Sequence, residues 1–281
     1  MTLHTTNKKA DSDIFSTNEK AIIGIINITK DSFYDGGKYL NDKQIILRCK
    51  NMLDEGASII EIGAQSSRPG AIQVSSEEEL KKLLPSIKLL KKNFKNITIS
   101  VDTFWANTAK ECIIAGANII NDISAGNIDE NIFNVMAEFK TPYIIMHMQG
   151  TPRNMQKNPK YDNVVNELVK FFEEKIKKLN NLGVHNIIID PGFGFGKTIQ
   201  HNFQILNQLH RFKEFNLPIL VGASRKSMIY NLLETTAKNA LNGTSIVNTI
   251  ALTNGANILR VHDVKEANEC IKITTFAKNN S

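Results

Sequence analysis

Residues 98–122 read TISVDTFWANTAKECIIAGANIIND, a complete strand–helix–strand unit. Thr98–Val101 and Asn118–Asn121 are short runs of Ile and Val that read as continuous rather than alternating, as in strands buried on both faces. Asn107–Ala115 between them has helix length. Gly116 stands just past it, where a left-handed cap favours glycine. Each strand ends on polar residues, Asp102-Thr103 and Asn121-Asp122.

The same alternation runs outward in both directions. Further strands are expected at Ala21–Ile26, Ser58–Ile62, Tyr143–His147, Asn186–Asp190, Ile219–Val221 and Asn257–Val261. Helices are expected at Asp42–Glu55, Ser76–Asn93, Asn131–Phe139, Val164–Leu182, His201–Phe212, Ser245–Asn254 and Val264–Ala277. Glu77, Glu78 and Glu79 put negative charge in a first turn, with Ser76 as N-cap. Gly56, Gly183 and Gly255 repeat the exit signal of Gly116. Eight strands and eight helices predict an α/β fold, a (β/α)₈ or TIM barrel, with an open doubly wound sheet as the alternative. No Pro/Gly/Ser-rich linker divides the chain, so one domain over 21–281 is expected after a polar tail at 1–20.

Composition narrows the function classes. With 281 residues, 42% hydrophobic and 22% charged, the chain is neither disordered nor fibrous. Ala21–Ile28 is too short and too interrupted to cross a bilayer, and residues 1–20 lack a signal-peptide core, so a cytoplasmic protein is expected. Cys49, Cys112 and Cys270 lie far apart without ligand spacing, which suggests reduced thiols rather than disulfides or zinc. The net charge of +6 sits mainly on helical stretches such as Lys81–Lys92 and Lys170–Lys178, mixed with Glu and Asn. That is a solvated face rather than a nucleic-acid track.

Polar residues collect at all eight predicted strand ends. Asn27, Asp31 and Asp35 follow the first; Ser66, Ser67 and Arg68 the second; Asp102 and Thr103 end the third; Asn121 and Asp122 the fourth. His147 and Gln149 end the fifth, Asp190 the sixth, Ser224–Ser227 the seventh, and Arg260, His262 and Asp263 the eighth. In a parallel barrel these positions share one mouth, which makes a polar pocket. Asp122 and Asp263 read as turn formers. Asp102, Asn121 and Asp190 suit a flat heterocycle with several N–H donors. Arg68, Lys226, Arg260 and His262 suit phosphate or pyrophosphate, and Asn27 with Asp31 or Asp35 can offer oxygen to Mg²⁺. The run GFGFGKT (192–198) fails as a phosphate loop because Pro191 stands where the first glycine is required, and its glycines miss the dinucleotide spacing.

From about Ile22 to Glu266 the sequence resembles the dihydropteroate synthases of the folate pathway. The resemblance is carried in order by GIINITKDSFYDGG (24–37), IGAQSSRPGA (62–71), SVDT (100–103), AGANIINDIS (115–124), MHMQGTPRNMQ (146–156), DPGFGFGK (190–197), VGASRKSMI (221–229) and RVHDV (260–264). It implies a transferase that joins 6-hydroxymethyl-7,8-dihydropterin pyrophosphate to p-aminobenzoate, with Mg²⁺ as cofactor and pyrophosphate as leaving group. It implies pterin contacts from Asp102, Asn121, Asp190 and Lys226, stacking by Arg260, and a slot lined by Ile123, Met146 and Phe195. Pyrophosphate falls to Asn27, Arg68, Arg260 and His262, with Asn27 on the metal. Phe33, Ser67, Pro69, Lys226 and Ser227 would frame p-aminobenzoate. Asp102, Lys226, Arg260 and His262 are the expected catalytic groups, Asp102 stabilising a pterin cation. Closing loops near 28–39 and 64–74, a homodimer through outer helices and sulfonamide mimicry of p-aminobenzoate are further implications.

The sequence departs from the family pattern at several places. Lys30 replaces a usual Pro, Tyr34 a small residue, Glu61 an Asp, and Ala64-Gln65-Ser66-Ser67 the usual Gly-Glu-Ser-Thr. These read as tuning. A methyltransferase acting on methyltetrahydrofolate would share the acid and amide pterin contacts but not DSFYDGG or SRKS, and an RNA-binding protein would show strongly salt-dependent affinity.

Overall fold

Thr17 and residues 19–28, 41–65 and 73–280 are described by the computed structural model. Its strands are β1 (Ala21–Asn27), β2 (Ile59–Gly63), β3 (Ile99–Asp102), β4 (Ile119–Asp122), β5 (Tyr143–Met146), β6 (Ile187–Asp190), β7 (Leu220–Val221) and β8 (Ile258–Val261). The helices are α1 (Asp42–Glu55), α2 (Ser76–Asn93), α3 (Ala106–Ile114), α4 (Ile132–Phe139), α5 (Val164–Asn181), α6 (Ile199–Asn207), α7 (Ser227–Tyr230), α8 (Leu241–Thr253) and α9 (Val264–Asn279). The strands form one parallel sheet in the order β6-β5-β4-β3-β2-β1-β8-β7. A bridge between Ile189 and Ile219 joins its two edges. The expected TIM barrel is the observed architecture, and the open sheet is excluded.

Side chains alternate in and out along each strand. Ala21, Ile23, Ile59, Ile119, Ile144, Ile188, Leu220 and Ile258 pack together as the plug of the barrel interior. The other faces of the strands carry a larger apolar shell against the helices, including Ile62, Val101, Ile120, Ile145 and Ile189. Counting two residues onward from the plug brings Glu61, Asn121, Met146, Asp190, Gly222 and Arg260 to the inner face, towards the carboxyl ends. The helix termini follow the sequence closely. Gly56, Gly116, Gly183 and Gly255 all have positive φ.

Three local expectations needed correction. The N-cap of α2 is Ser75, not Ser76, because Glu78 at the third helical position closes a reciprocal capping box with it. The helix expected over His201–Phe212 stops at Asn207 and continues as a 3₁₀ turn over Leu209–Phe215. The helix expected from Ser245 starts at Leu241, with Gly243 in its first turn. A Cβ at Gly243 would stand 2.6 Å from Ile229 Cγ2, so glycine lets α8 approach the additional short helix α7. Among the described residues no helix is long and apolar enough to cross a membrane.

Candidate active site

The barrel mouth is built on a buried acid floor. Glu61 on β2 is wholly shut from solvent. Its Oε1 receives Arg260 Nε from β8 at 2.6 Å, and its Oε2 receives Asn121 Nδ2 from β4 at 3.0 Å and the Ser100 hydroxyl from β3 at 3.2 Å. Arg260 Nη2 also reaches Asp102 Oδ2 at 3.1 Å. Strands β4 and β8 are not neighbours in the sheet, so these bonds can only run through the barrel interior. Asp102, Asn121 and Arg260 are therefore brought together as expected, but around a carboxylate that the sequence reading treated as a minor substitution.

Asp190 faces the same space from β6. Its Oδ1 accepts the Gly192 N–H at 2.8 Å. Gly222, just past β7, stands between Asp190 and Arg260: a Cβ there would lie 4.0 Å from Asp190 Oδ2 and 3.7 Å from Arg260 Cδ. Lys226 precedes α7 and donates to the Phe193 carbonyl at 2.6 Å, with its ammonium 4.4 Å from the centre of the Phe195 ring. Ile123, Met146 and Phe195 do share one apolar cluster, and Phe104, Met148 and Met155 complete it. Asn27 at the end of β1 is paired in register with Gly63, which is paired with Asp102, so a single strand, β2, separates the amide from that carboxylate. Ser227 opens α7 beside Lys226, and His262 follows β8 at the rim. Phe33, Ser67, Arg68 and Pro69, with Lys30, Asp31, Tyr34, Asp35 and Ser66, lie outside the described residues.

Alternation also removes candidates. Thr103, Asp122 and His147 each follow an inward residue and point into the helical shell. Asp122 accepts from the Ser124 N–H and hydroxyl, the Gly126 N–H and the Tyr143 hydroxyl, and so shapes the turn after β4. His147 packs edge-on against Phe171 on α5. Gln149 bonds both backbone groups of Lys160 and ties down the long segment before α5. Asp263 holds Arg225 through two oxygens, at 2.8 and 3.0 Å, clasping the segment that carries Lys226 to the end of β8.

The GFGFGK run has a structural use instead of a phosphate-binding one. Buried Lys197 donates to the carbonyls of His147, Gly192 and Phe195 and lies 3.0 Å from His147 Nδ1. The knot fixes the loop that presents Asp190 and Phe195. Gly192, at φ 73°, passes so close to His147 that a Cβ would stand 2.0 Å from its carbonyl oxygen.

Burial governs the charge states. It pushes Asp102 up to about 7, helped by Glu61 and opposed by Arg260. It raises Asp190 against the pull of Lys226, the Gly192 N–H and Arg260. Lys226 is lowered to about 7 by burial, with Asp190 opposing. His262 is lowered to about 4, by burial first and then by Arg260 and Arg48. The imidazole counted as a cation in the sequence is thus neutral at pH 7, and Arg260 is held charged by Glu61 and Asp102 despite burial. Among the described residues no three His, Cys, Asp or Glu side chains cluster as a metal cage. The Asn27 amide oxygen is a hard donor of the kind that Mg²⁺ takes together with phosphate and water.

Glu79 on α2 lies behind the site. Its Oε2 accepts the Thr103 hydroxyl at 2.7 Å, while its buried Oε1 has no hydrogen-bond partner. Burial raises the carboxyl to about 7, with Thr103, Thr108 and Gln65 opposing. The folded state therefore holds a proton that the unfolded chain releases near pH 4.5. This contribution is complete at low pH and is lost as pH rises through about 7. Glu79→Gln, which mimics the protonated form, is expected to be more stable than the parent by on the order of 2 kcal/mol at pH 8.5 and indistinguishable at pH 4.5. Thermal melts at the two pH values check this; equal shifts at both would contradict it. Nearby, Gln65 bonds both the N–H and the carbonyl of Val74, which a carboxylate in its place cannot do.

Comparison with known proteins decides the family. Residues 23–262 match the pterin binding enzyme family. The chain is 42% identical to dihydropteroate synthase of Escherichia coli (strain K12), over 92% of this chain and 93% of that one. The chain belongs to the dihydropteroate synthase family. The barrel superposes on Yersinia pestis dihydropteroate synthase in a sulfonamide drug complex with a TM-score of 0.90 and 39% identity, covering 94% of this chain and 96% of that one. The Coxiella burnetii synthase in complex with pteroic acid matches with a TM-score of 0.85 and 36% identity, covering 94% of each chain. Membership makes the protein a pterin-binding transferase of folate synthesis. Sequence reasoning passed over Glu61, Phe104, Met148, Met155 and Lys197 as site or supporting residues. Parity along the strands was the signal available for Glu61, which lies two residues before Gly63.

Proposed function

We propose that the enzyme condenses 6-hydroxymethyl-7,8-dihydropterin pyrophosphate with p-aminobenzoate, releasing pyrophosphate and 7,8-dihydropteroate. The observation that carries this is the buried Asn121 Oδ1, which has no hydrogen-bond partner in a floor that also holds Asp102 and Asp190. Such a floor calls for a ligand head rich in N–H donors, and a pterin edge is one. The apolar cluster of Phe104, Ile123, Met146, Met148, Met155 and Phe195 is suited to the faces of a flat ring. The pteroic acid bound by the Coxiella relative joins the same two halves as the proposed product.

The chemistry runs by departure before attack. Asp102, Asn121 and Asp190 bind the pterin edge, with Lys226 and Arg260 beside its ring. The bond between the pterin methylene carbon and the bridging oxygen breaks, and the electron pair leaves with pyrophosphate. Arg260 meets the charge gathering on that oxygen, and neutral His262 donates a hydrogen bond to it. Asn27, Arg68 and His262 hold the rest of the diphosphate. When bound by Asn27 and phosphate oxygens, Mg²⁺ would neutralise part of the leaving-group charge. Asp102 faces the cation left behind. The neutral aromatic amine then forms the C–N bond and yields its proton to solvent. Phe33, Ser67, Pro69, Lys226 and Ser227 are proposed to frame that second substrate.

Exposed Ile246, Ile273 and Phe276 on the outer helices support a homodimer. The deciding experiment follows pyrophosphate release with both substrates, with and without Mg²⁺. Release that needs both organic substrates and rises with Mg²⁺ is expected; absence of release with all three present would overturn the reading.

A further inference from the structure

The proposed reaction gives no part to the carboxylate beneath its own binding residues. Glu61 touches three strands and none of the space above them. Its oxygens accept only, whereas the Asn121 amide has one donating and one accepting end. With Glu61 Oε2 at 3.0 Å, the Asn121 amide must turn its Nδ2 downward. The Ser100 hydroxyl spends its single proton on the same oxygen at 3.2 Å. Asn121 Oδ1 is thereby left as a buried acceptor with no hydrogen-bond partner. An unsatisfied buried acceptor is costly, and it is tolerated where a ligand brings the donor. The other oxygen of Glu61 takes the Arg260 guanidinium, whose Nη2 is then directed to Asp102 at 3.1 Å.

We propose that Glu61 is a positioning residue that sets the polarity of the pterin site: it turns the accepting end of Asn121 toward the ligand and holds Arg260 against Asp102. The inference rests on the pterin reading above and deepens it. Selection for an N–H-rich ring edge is then made one layer below the residues that touch it. A glutamine at this position would break the logic while keeping the shape. Its amide can donate to Asn121 Oδ1, which frees Asn121 to flip and present N–H groups to a ligand edge that is itself made of donors. An aspartate, the residue usual at this place in the family, keeps the accepting end on a side chain shorter by one carbon–carbon bond, about 1.5 Å.

The test is calorimetric binding of pteroic acid, with KM for each substrate measured alongside. Glu61→Gln is expected to weaken pteroic acid by roughly tenfold to a hundredfold and to raise the KM of the pterin pyrophosphate, with the KM of p-aminobenzoate held within twofold. Glu61→Asp, which keeps the accepting end, is expected to hold pteroic acid affinity within about threefold of the parent, and if the glutamine protein does not fold, a roughly tenfold loss in this variant overturns the acceptor logic. Combining Glu61→Gln with Asn121→Ala is expected to cost less than the product of the separate losses, because one residue acts through the other. For Glu61→Gln, a lowered melting temperature with unchanged pteroic acid affinity would overturn the proposal, as would equal KM increases for both substrates or, with Asn121→Ala, strictly multiplicative losses. If the parent protein itself fails to bind pteroic acid, the pterin reading falls and this inference falls with it. If the parent binds and Glu61→Gln matches it, only the role of Glu61 is lost.

Discussion

Arg260→Ala is expected to lower both folding stability and turnover, and to do so more severely at alkaline pH. The guanidinium is the shared partner of Glu61 and Asp102, and its side chain is only 14% exposed. Removing it leaves two carboxyl groups facing each other in a buried place. Breaking one side of a buried ion pair costs about 3–5 kcal/mol. For a chain of this size that corresponds to a fall in Tm on the order of 10 °C. Protonation offers partial relief. Asp102 is already raised to about 7 by burial and by Glu61, and Arg260 is the group that pulls it down. Without Arg260 it would hold its proton to still higher pH. A carboxyl raised above its unfolded value contributes stability that is present below pH 4 and disappears as pH climbs through the folded value. The Tm deficit of the variant should thus be smallest near pH 5 and largest near pH 8.5. Turnover should fall at least a hundredfold at every pH, because in the proposed mechanism the charge on the departing pyrophosphate loses a fixed cation. A deficit independent of pH would mean that the two acids do not depend on this guanidinium.

The same alternation that made the barrel legible would also have sorted its site. Strand after strand of uninterrupted Ile and Val, each followed by a glycine-terminated helix, leaves little but a parallel ring, and Gly56, Gly116, Gly183 and Gly255 adopt the positive φ that their positions implied. Strand ends were harder to read residue by residue. Proximity in sequence placed His147 beside Met146 as a site candidate, but side chains on a strand diverge by half a turn per residue. Met146 joins the apolar slot while His147 packs against α5. Glu61 was hidden for the opposite reason. It stands inside the strand IIEIG rather than after it, and only the register with Ser100 and the passage across the barrel to Asn121 and Arg260 show what it holds. Lys197 was illegible because its partners are three backbone carbonyls, which no side-chain pattern announces. The charge of His262 was misjudged because a sequence shows the imidazole and not the burial and the Arg260 guanidinium that keep it neutral.

Asp190→Asn is expected to leave the barrel folded and to reduce pterin affinity by about a hundredfold or more, by calorimetry with pteroic acid. The substitution keeps the shape and keeps one oxygen for the Gly192 N–H, 2.8 Å from Oδ1 in the parent, so the turn after β6 survives. What changes is the second oxygen, on the side of Gly222 and Arg260. In the variant that place is taken by an NH₂ group. It offers a donor where the proposed pterin edge also offers donors, and it faces the Arg260 guanidinium, which stays a cation. One charge-assisted bond is lost and one repulsive contact is gained. A second consequence follows for Lys226. Burial lowers this ammonium to about 7, and Asp190 is the first group that resists the fall. Without the carboxylate Lys226 loses its proton at lower pH, so the variant should bind pteroic acid best on the acid side of neutrality, where the ammonium persists. A depressed lysine subtracts stability as pH falls toward its folded value. The cost of keeping Lys226 charged is larger in the variant, and its Tm should drop relative to the parent between pH 8 and pH 6. Full pteroic acid affinity in Asp190→Asn, with a parent-like pH profile, would place the pterin edge elsewhere in the mouth.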